Sequence, residues 1–340
     1  MKVRQQADLR SLNTFGVPAR AELLFAVESE EELLELPVLQ PERDLVLGEG
    51  SNILLVDDVP GKVVLNRIRG IDLIDRTDEH FLVEVGAGEN WHSLVRHAVE
   101  HGWHGLENLA LIPGLAGAAP VQNIGAYGVE LSEVLESVTA WDWQEARWVV
   151  FEVADCALAY RDSIFKQQPR DRWFITSIRL RLHTRFRPRL DYAGLSQALG
   201  STEPTARNVM DTVVALRRSK LPDPARIGNA GSFFKNPVLE PAAAASLRSR
   251  HPGLPHWPQA GDQIKFSAAA MIQDCGLKGV QRGAAAVSDQ HALVLVNRGG
   301  ATGHEIWQLA QQVRERVYER FGVLLEPEPR IFSEDFTLGV

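Results

Sequence analysis

A serine lies between glycine and two phenylalanines in Gly228-Asn229-Ala230-Gly231-Ser232-Phe233-Phe234-Lys235-Asn236-Pro237, a tight and partly dry turn. No G-x-S-x-G elbow surrounds it, so Ser232 is a poor acyl-transfer nucleophile. Its hydroxyl suits delivery of a proton to a developing carbanion if a charged neighbour assists; a structural turn serine is the alternative. Arg217-Arg218-Ser219-Lys220 precedes the breaker Leu221-Pro222-Asp223-Pro224. Cations at a helix end complement the last carbonyls, and a phosphate ligand would explain the same cluster. Tyr160-Arg161-Asp162-Ser163 and Glu326-Pro327-Glu328-Pro329-Arg330, taken alone, read as solvated charge. His97-Ala98-Val99-Glu100-His101 has the H-x-x-E-H spacing of some zinc peptidases. Zinc needs a third ligand and a polar pocket, and no downstream glutamate is singled out, so solvent-facing histidines are the preferred reading.

Two glycine pairs echo a dinucleotide fingerprint. Gly48-Glu49-Gly50-Ser51-Asn52 runs into another apolar strand, and Gly86-Ala87-Gly88 has Trp91 where a third glycine belongs. Neither meets the strand-to-helix requirement of a Rossmann turn, and a tight turn or a phosphate contact fits each. Residues 111–128, LIPGLAGAAPVQNIGAYG, hold four glycines, four alanines and two prolines. Such a stretch forms no regular helix or strand, and its length is unusual for a passive loop. Its small residues let successive backbone N–H groups approach an anion, as a diphosphate requires. Tight packing is the competing explanation. Gln122 and Asn123 add amides suited to nucleotide edges.

The elements that must position these groups follow from the apolar pattern. Short strands are expected at 44–47, 53–56, 63–66, 73–75, 81–85, 134–141, 148–153, 174–182 and 292–296. Ser29 with Glu32 predicts a capping box on a helix over 29–36, and Gly102 closes a helix over 90–102. Further helices are expected over 205–218, 242–250, 268–275 and 304–321. The pattern is α+β, with one module to about residue 185 and a second from about residue 205.

Composition bounds the rest. The 340 residues are 45% hydrophobic and 24% charged, an ordinary globular mix for two or three modules. A net charge of −8 argues against nucleic acid, so a local basic pocket marks a specific anion. No apolar run reaches membrane-spanning length, and the start, Met1-Lys2-Val3-Arg4-Gln5-Gln6, lacks a secretory pattern. Cys156 and Cys275 stand in no paired motif, which suits a reducing, cytoplasmic setting without disulfide or metal.

Together these segments closely resemble the UDP-N-acetylenolpyruvoylglucosamine reductase family, from Leu12-Asn13-Thr14-Phe15 to the Glu-Pro-Glu-Pro-Arg tail. The most specific parts are Pro113 through Gly128, Tyr160-Arg161-Asp162-Ser163 and Gly231-Ser232-Phe233-Phe234-Lys235-Asn236-Pro237. The resemblance implies a two-part FAD-binding module of the vanillyl-alcohol oxidase (PCMH) type over 13–184. A substrate-binding α+β domain over 205–322 and a tail over 323–340 that returns to the active site would follow. Gly48, Gly50, Ser51, Asn52, Pro113, Gly114, Gly117, Ala118, Gln122, Asn123, Gly125 and Ala126 would then line FAD, with NADPH as hydride donor. The implied partner is a small sugar nucleotide, with no membrane, nucleic acid or obligate protein partner.

By the same resemblance, Arg161 and Glu328 polarise the carboxylate of the enolpyruvyl substrate, and Ser232 protonates the carbanion. A serine is a weak acid, so Lys220 or a water beside it must help. Tyr192, Lys220 and Asn236 are expected on the diphosphate and uridine. Two positions depart from the family pattern. A loop tyrosine that closes over the substrate is here Trp257, in a loop of the longer, tyrosine-loop type. An expected amide is here His291, which makes binding pH-sensitive if its pKa lies near the usual value of about 6.5.

Overall fold

The computed structural model describes residues 1–40, 43–167 and 171–333. Strand Arg20–Val27 buries Ala21, Leu24, Phe25 and Val27, and pairs parallel with Val59–Asn66. Val59–Asn66 pairs parallel with Leu45–Leu47 on its other side, and Lys2–Asp8 forms the outer edge of this four-stranded sheet. A second sheet is antiparallel. Its order is Arg147–Glu152, Leu135–Asp142, Trp173–His183, His80–Gly86 and Ile71–Arg76. Val83, Val85, Val138, Ile178 and Leu180 of these strands are buried with helix α2, Trp91–Glu100, through Trp91, Leu94, Val95 and Ala98.

Chain contacts divide the molecule into two units. Met1–Ala7, Arg20–Gly50 and Val59–Ser219 make the first; Asp8–Ala19, Ser51–Asp58 and the described part of Lys220–Val340 make the second. Besides α2, the first unit contains α1 (Glu30–Leu34), α3 (Ala193–Leu199) and nearly all of α4 (Ala206–Lys220). The second holds α5 (Pro241–Arg250), α6 (Ala268–Asp274) and α7 (Gly303–Phe321), with small sheets. In one, Leu295–Asn297 pairs with Ala285–Val287; in another, Arg330–Phe332 runs parallel to Ile53–Leu55.

Local signals behave largely as expected, with instructive departures. Ser29 Oγ accepts the Glu32 N–H, but the Glu32 carboxylate accepts from Glu28 N–H, one residue before the cap. Among the α-helices a reciprocal capping box is found at α7, where Thr302 and Glu305 satisfy each other's backbone N–H groups. The strand expected at 292–296 begins only at Leu295, because a turn closed by the Val294 N–H to His291 O bond occupies the preceding residues. Strand Lys2–Asp8 and helix α3 were not signalled; the first is exposed along most of its length, and the second lies between prolines.

Asp142 anchors the strand pair that ends at residue 142. It is fully buried and accepts from Arg172 Nε and Nη2 at 3.0 and 2.7 Å and from Gln144 N–H at 2.9 Å. Burial pushes its carboxyl up, but the Arg172 bonds and the Gln144 and Glu145 N–H groups outweigh burial and hold it below the usual range. A carboxyl depressed in the folded state stabilises the fold above its unfolded pKa, and that stability is lost as pH falls. Asp142→Asn is therefore expected to cost about 2 kcal/mol at pH 7 and less in acid, because it leaves a half-buried guanidinium short of its counter-charge. Denaturant unfolding at pH 7 and pH 3 checks both parts.

Candidate active site

Residues 111–128 are shaped by contacts that only small side chains permit. Two short 3-10 turns, Ala116–Ala118 and Pro120–Gln122, lead into a two-residue strand pair, Gly125–Ala126 with Val129–Glu130. The Gly117 N–H donates to Ala87 O at 2.9 Å, and a Cβ on Gly117 would lie 2.4 Å from the Ala87 Cβ. Gly114 has φ +112°, a conformation glycine tolerates at little cost. Gly86 and Gly88 have a different reason to be glycine: a Cβ at either would strike the backbone of residues 67–69 within 3 Å. Gly117→Ala is expected to cost about 1–3 kcal/mol of stability, because the added Cβ overlaps Ala87. Calorimetry against the parent measures the loss.

Glu49, between the glycines of the first pair, ties this segment down. Its carboxylate accepts from Asn90 Nδ2 at 2.8 Å and from Gly114 N–H at 3.1 Å. Asn90 in turn caps α2 by accepting the Ser93 N–H at 3.0 Å. Sequence reasoning missed Glu49 and Asn90 as scaffolding; an acid between two turn glycines was the available signal. Gly50 takes φ +62°, so the tight-turn reading holds there. Asn123 is buried in the left-handed region, and its amide is committed to Glu130 Oε2, Ala159 O and Ser132 N–H. Pro113 and Ala118 are exposed, whereas Gln122 is half-buried.

The Tyr160-Arg161-Asp162-Ser163 cluster is not solvated charge. Ser163 is fully buried, donating to Val121 O at 2.7 Å and accepting from Phe165 N–H at 3.2 Å. That pins the turn against the small-residue segment and holds Arg161 half-buried at φ +56°. Arg161 Nη2 donates to Gly125 O at 2.9 Å, and its guanidinium carbon lies 5.5 Å from the Tyr160 ring centre. Arg217 of α4 donates Nε–H to Leu111 O at 3.2 Å. Burial lowers the Arg217 pKa, with Arg161 adding repulsion, yet no carboxylate ion-pairs with Arg217 among the described residues. Tyr127 is half-buried, its phenol pushed up chiefly by burial, and packs edge-on against the exposed Tyr192 at 5.0 Å. Cationic side chains beside a run of small residues suit an anionic group with extended phosphates, so the donor set fits FAD.

In the second unit, Ser232 and Glu328 are neighbours through the backbone. Residues 232–235 lie between two segments: Phe233 N–H donates to Leu293 O at 2.7 Å, and Glu328 N–H donates to Phe233 O at 2.8 Å. Lys235 N–H continues that ladder to Glu326 O at 3.0 Å. Buried Phe233 and Phe234 anchor the segment, with Phe233 packing edge-on against Phe15. Gly231 at φ +71° reverses the chain just before Ser232, and its N–H is held by buried Asn229 Oδ1 at 2.9 Å. Asn52 also belongs here: its Nδ2 donates to Glu328 O at 3.4 Å, and its O accepts from Arg330 N–H at 3.0 Å.

Asn236 Oδ1 accepts the Ala268 N–H at the start of α6, so this amide also works as a structural cap. Lys220 ends α4 in an exposed position. His291 accepts the Leu293 N–H through Nδ1 at 3.3 Å, which leaves the proton of the neutral ring on Nε2. Burial, then Lys220 and Lys278, lower its pKa. The pH sensitivity expected of a ring titrating near its usual value therefore moves toward acid, and the ring is neutral at pH 7. Trp257, 47% exposed, sits on the short strand His256–Pro258 paired with Ile264–Phe266.

His97 on α2 and His101 at its C-cap stack at 4.0 Å, and His101 Nδ1 lies 2.8 Å from His97 O. Among the described residues, no three His, Cys, Asp or Glu side chains gather as metal ligands, and no helix is long and apolar enough to cross a membrane.

Two family models match the chain. Residues 21–150 match an FAD binding domain, and residues 223–332 match the C-terminal domain of UDP-N-acetylenolpyruvoylglucosamine reductase. The chain is 49% identical over 329 residues to the UDP-N-acetylenolpyruvoylglucosamine reductase of Bordetella pertussis, covering 96% of this chain and 94% of that one. It is 46% identical to that of Neisseria meningitidis serogroup A, with 99% of each covered. Among solved structures it resembles the Thermus caldophilus enzyme of the same name, with a TM-score of 0.68, 27% identity and 98% of each chain covered.

Proposed function

Because the chain belongs to the UDP-N-acetylenolpyruvoylglucosamine reductase family, we propose a division of labour among its own residues for that family's reaction. The protein is an FAD-dependent oxidoreductase that reduces UDP-N-acetylglucosamine enolpyruvate to UDP-N-acetylmuramate, in peptidoglycan precursor synthesis. Bound FAD supplies a two-electron relay from NADPH to the terminal vinyl carbon of the substrate. Residues 13–184 serve FAD, 205–322 serve the sugar nucleotide, and 323–340 form the returning tail, of which 334–340 lie outside the described residues.

Hydride addition at the vinyl carbon leaves negative charge on the adjacent carbon and its carboxylate. Arg161 holds that carboxylate, its guanidinium oriented by Gly125 O. Glu328, sharing a proton with the carboxylate, limits the charge that builds there. Ser232 delivers the proton to carbon, with Lys220 or a water assisting. Tyr192, Lys220 and Asn236 hold the diphosphate and uridine, with His291 neutral beside the uridine and Trp257 as an apolar lid. Backbone groups of residues 48–52 and 113–126 receive FAD, with Asn123 stiffening the loop. The observation that supports the assignment is the 2.8 Å backbone bond from Glu328 N–H to Phe233 O, which pairs the segment carrying Glu328 with the one carrying Ser232. A cytoplasmic location follows from this reading, and the unpaired thiols fit it: burial pushes that of Cys156 up to about 12, so it stays protonated and inert.

The test is a product balance. Incubated with NADPH and the enolpyruvyl nucleotide, the protein yields one saturated lactyl product per NADPH consumed. NADPH consumption that depends on oxygen and yields no saturated product would instead make the protein an oxidase.

A further inference from the structure

The first turn of α2 grips the opening of the small-residue segment at three points. Trp91 Nε1 donates to Leu109 O at 3.0 Å, Trp91 N–H donates to Gly114 O at 3.0 Å, and His92 Nδ1 accepts the Leu111 N–H at 3.1 Å. From the other side, Arg217 of α4 holds Leu111 O at 3.2 Å. Leu111 therefore has both ends of its backbone clamped by side chains, and it sits at φ +58°, a region that costs a leucine about 1 kcal/mol. A residue in that region persists where its surroundings over-determine it, and this clamp supplies that constraint.

We propose that His92 is a positioning residue for FAD, acting through Leu111: its neutral imidazole fixes the start of residues 111–128 and so pre-aligns the backbone groups that receive the cofactor. This rests on the reading that residues 111–128 bind FAD. The bond requires Nδ1 to be an acceptor, so the ring must be neutral with its proton on Nε2. The groups around it favour that state. Arg96 comes from its own helix, Arg217 and Arg218 come from α4, and residues 109–123 carry no charge. Burial first, and then these arginines, hold the His92 pKa below the usual imidazole value. A lowered histidine pKa means the clamp is intact at neutral pH and is lost as pH falls through the lowered value. Protonation would turn two donors toward each other and release Leu111.

The sign distinguishes this role from plain electrostatics. A histidine that merely gained charge near a diphosphate would tighten FAD in acid, whereas the clamp loosens it. The experiment titrates flavin-free protein with FAD, following flavin fluorescence, between pH 5 and 8. His92→Ala is expected to weaken FAD about tenfold at pH 7.5, the effect of one lost hydrogen bond. His92→Asn restores an acceptor that cannot titrate, so its affinity is expected within about threefold of the parent, with weaker pH dependence. Should His92→Ala fail to fold, the comparison of parent with His92→Asn still decides. Equal pH dependence in those two, or tighter FAD in acid for the parent, would overturn the proposal. Failure of the parent itself to bind FAD at pH 7.5 would remove the premise instead.

Discussion

Ser232→Ala is expected to lower formation of the saturated product by about 10²- to 10⁴-fold, the usual range for loss of a positioned general acid. The same variant should bleach with NADPH at a rate close to the parent, because that half of the reaction needs no proton on carbon. Structural damage should be small. Gly231 provides the turn, Asn229 holds it, and the neighbouring phenylalanines are the buried anchors, so removing one hydroxyl leaves the segment's supports in place. Rapid-mixing absorbance separates the two halves. Equal loss in both would mean that Ser232 supports the fold rather than the proton transfer.

Glu328→Gln should be nearly as severe, at about 10²- to 10³-fold in product formation, the range for removing one group that stabilises developing charge. Glutamine keeps the length and the backbone ladder to Phe233 O but cannot share a proton with the substrate carboxylate. An interaction made mainly in the transition state lowers kcat with little change in KM. Steady-state kinetics with the enolpyruvyl nucleotide as the varied substrate checks this. A large rise in KM at unchanged kcat would make Glu328 a binding group only.

Much of this was readable before the structure. The unusual composition of residues 111–128 left two explanations, an anion-binding backbone and tight packing, and Gly117 supplies a packing reason, since its Cβ would collide with Ala87. Gly102 closes α2 as the capping rule predicts, at φ +70° just past the helix end. What was not readable depends on long-range pairing. Arg161 looked like surface charge because nothing local reveals that Ser163 binds Val121 O, 42 residues away. Glu49 looked like a turn residue until Asn90 and Gly114 were found on its carboxylate. For His291 the sequence offered only the condition that it titrate near its usual value; burial and two lysines, one of them 71 residues distant, hold its pKa lower. Local rules identify elements and turns; the electrostatic state of a side chain is set by whatever the fold brings to it.

The central claim is that one FAD serves two successive half-reactions, the second closed by Ser232. Anaerobic bleaching of the flavin absorbance with one equivalent of NADPH, followed by the enolpyruvyl nucleotide, tests it directly. Full return of absorbance with one equivalent of the saturated nucleotide formed is expected, and neither with Ser232→Ala on the same timescale. Absorbance that returns only when oxygen is admitted, or a Ser232→Ala protein that recovers as fast as the parent, would contradict it.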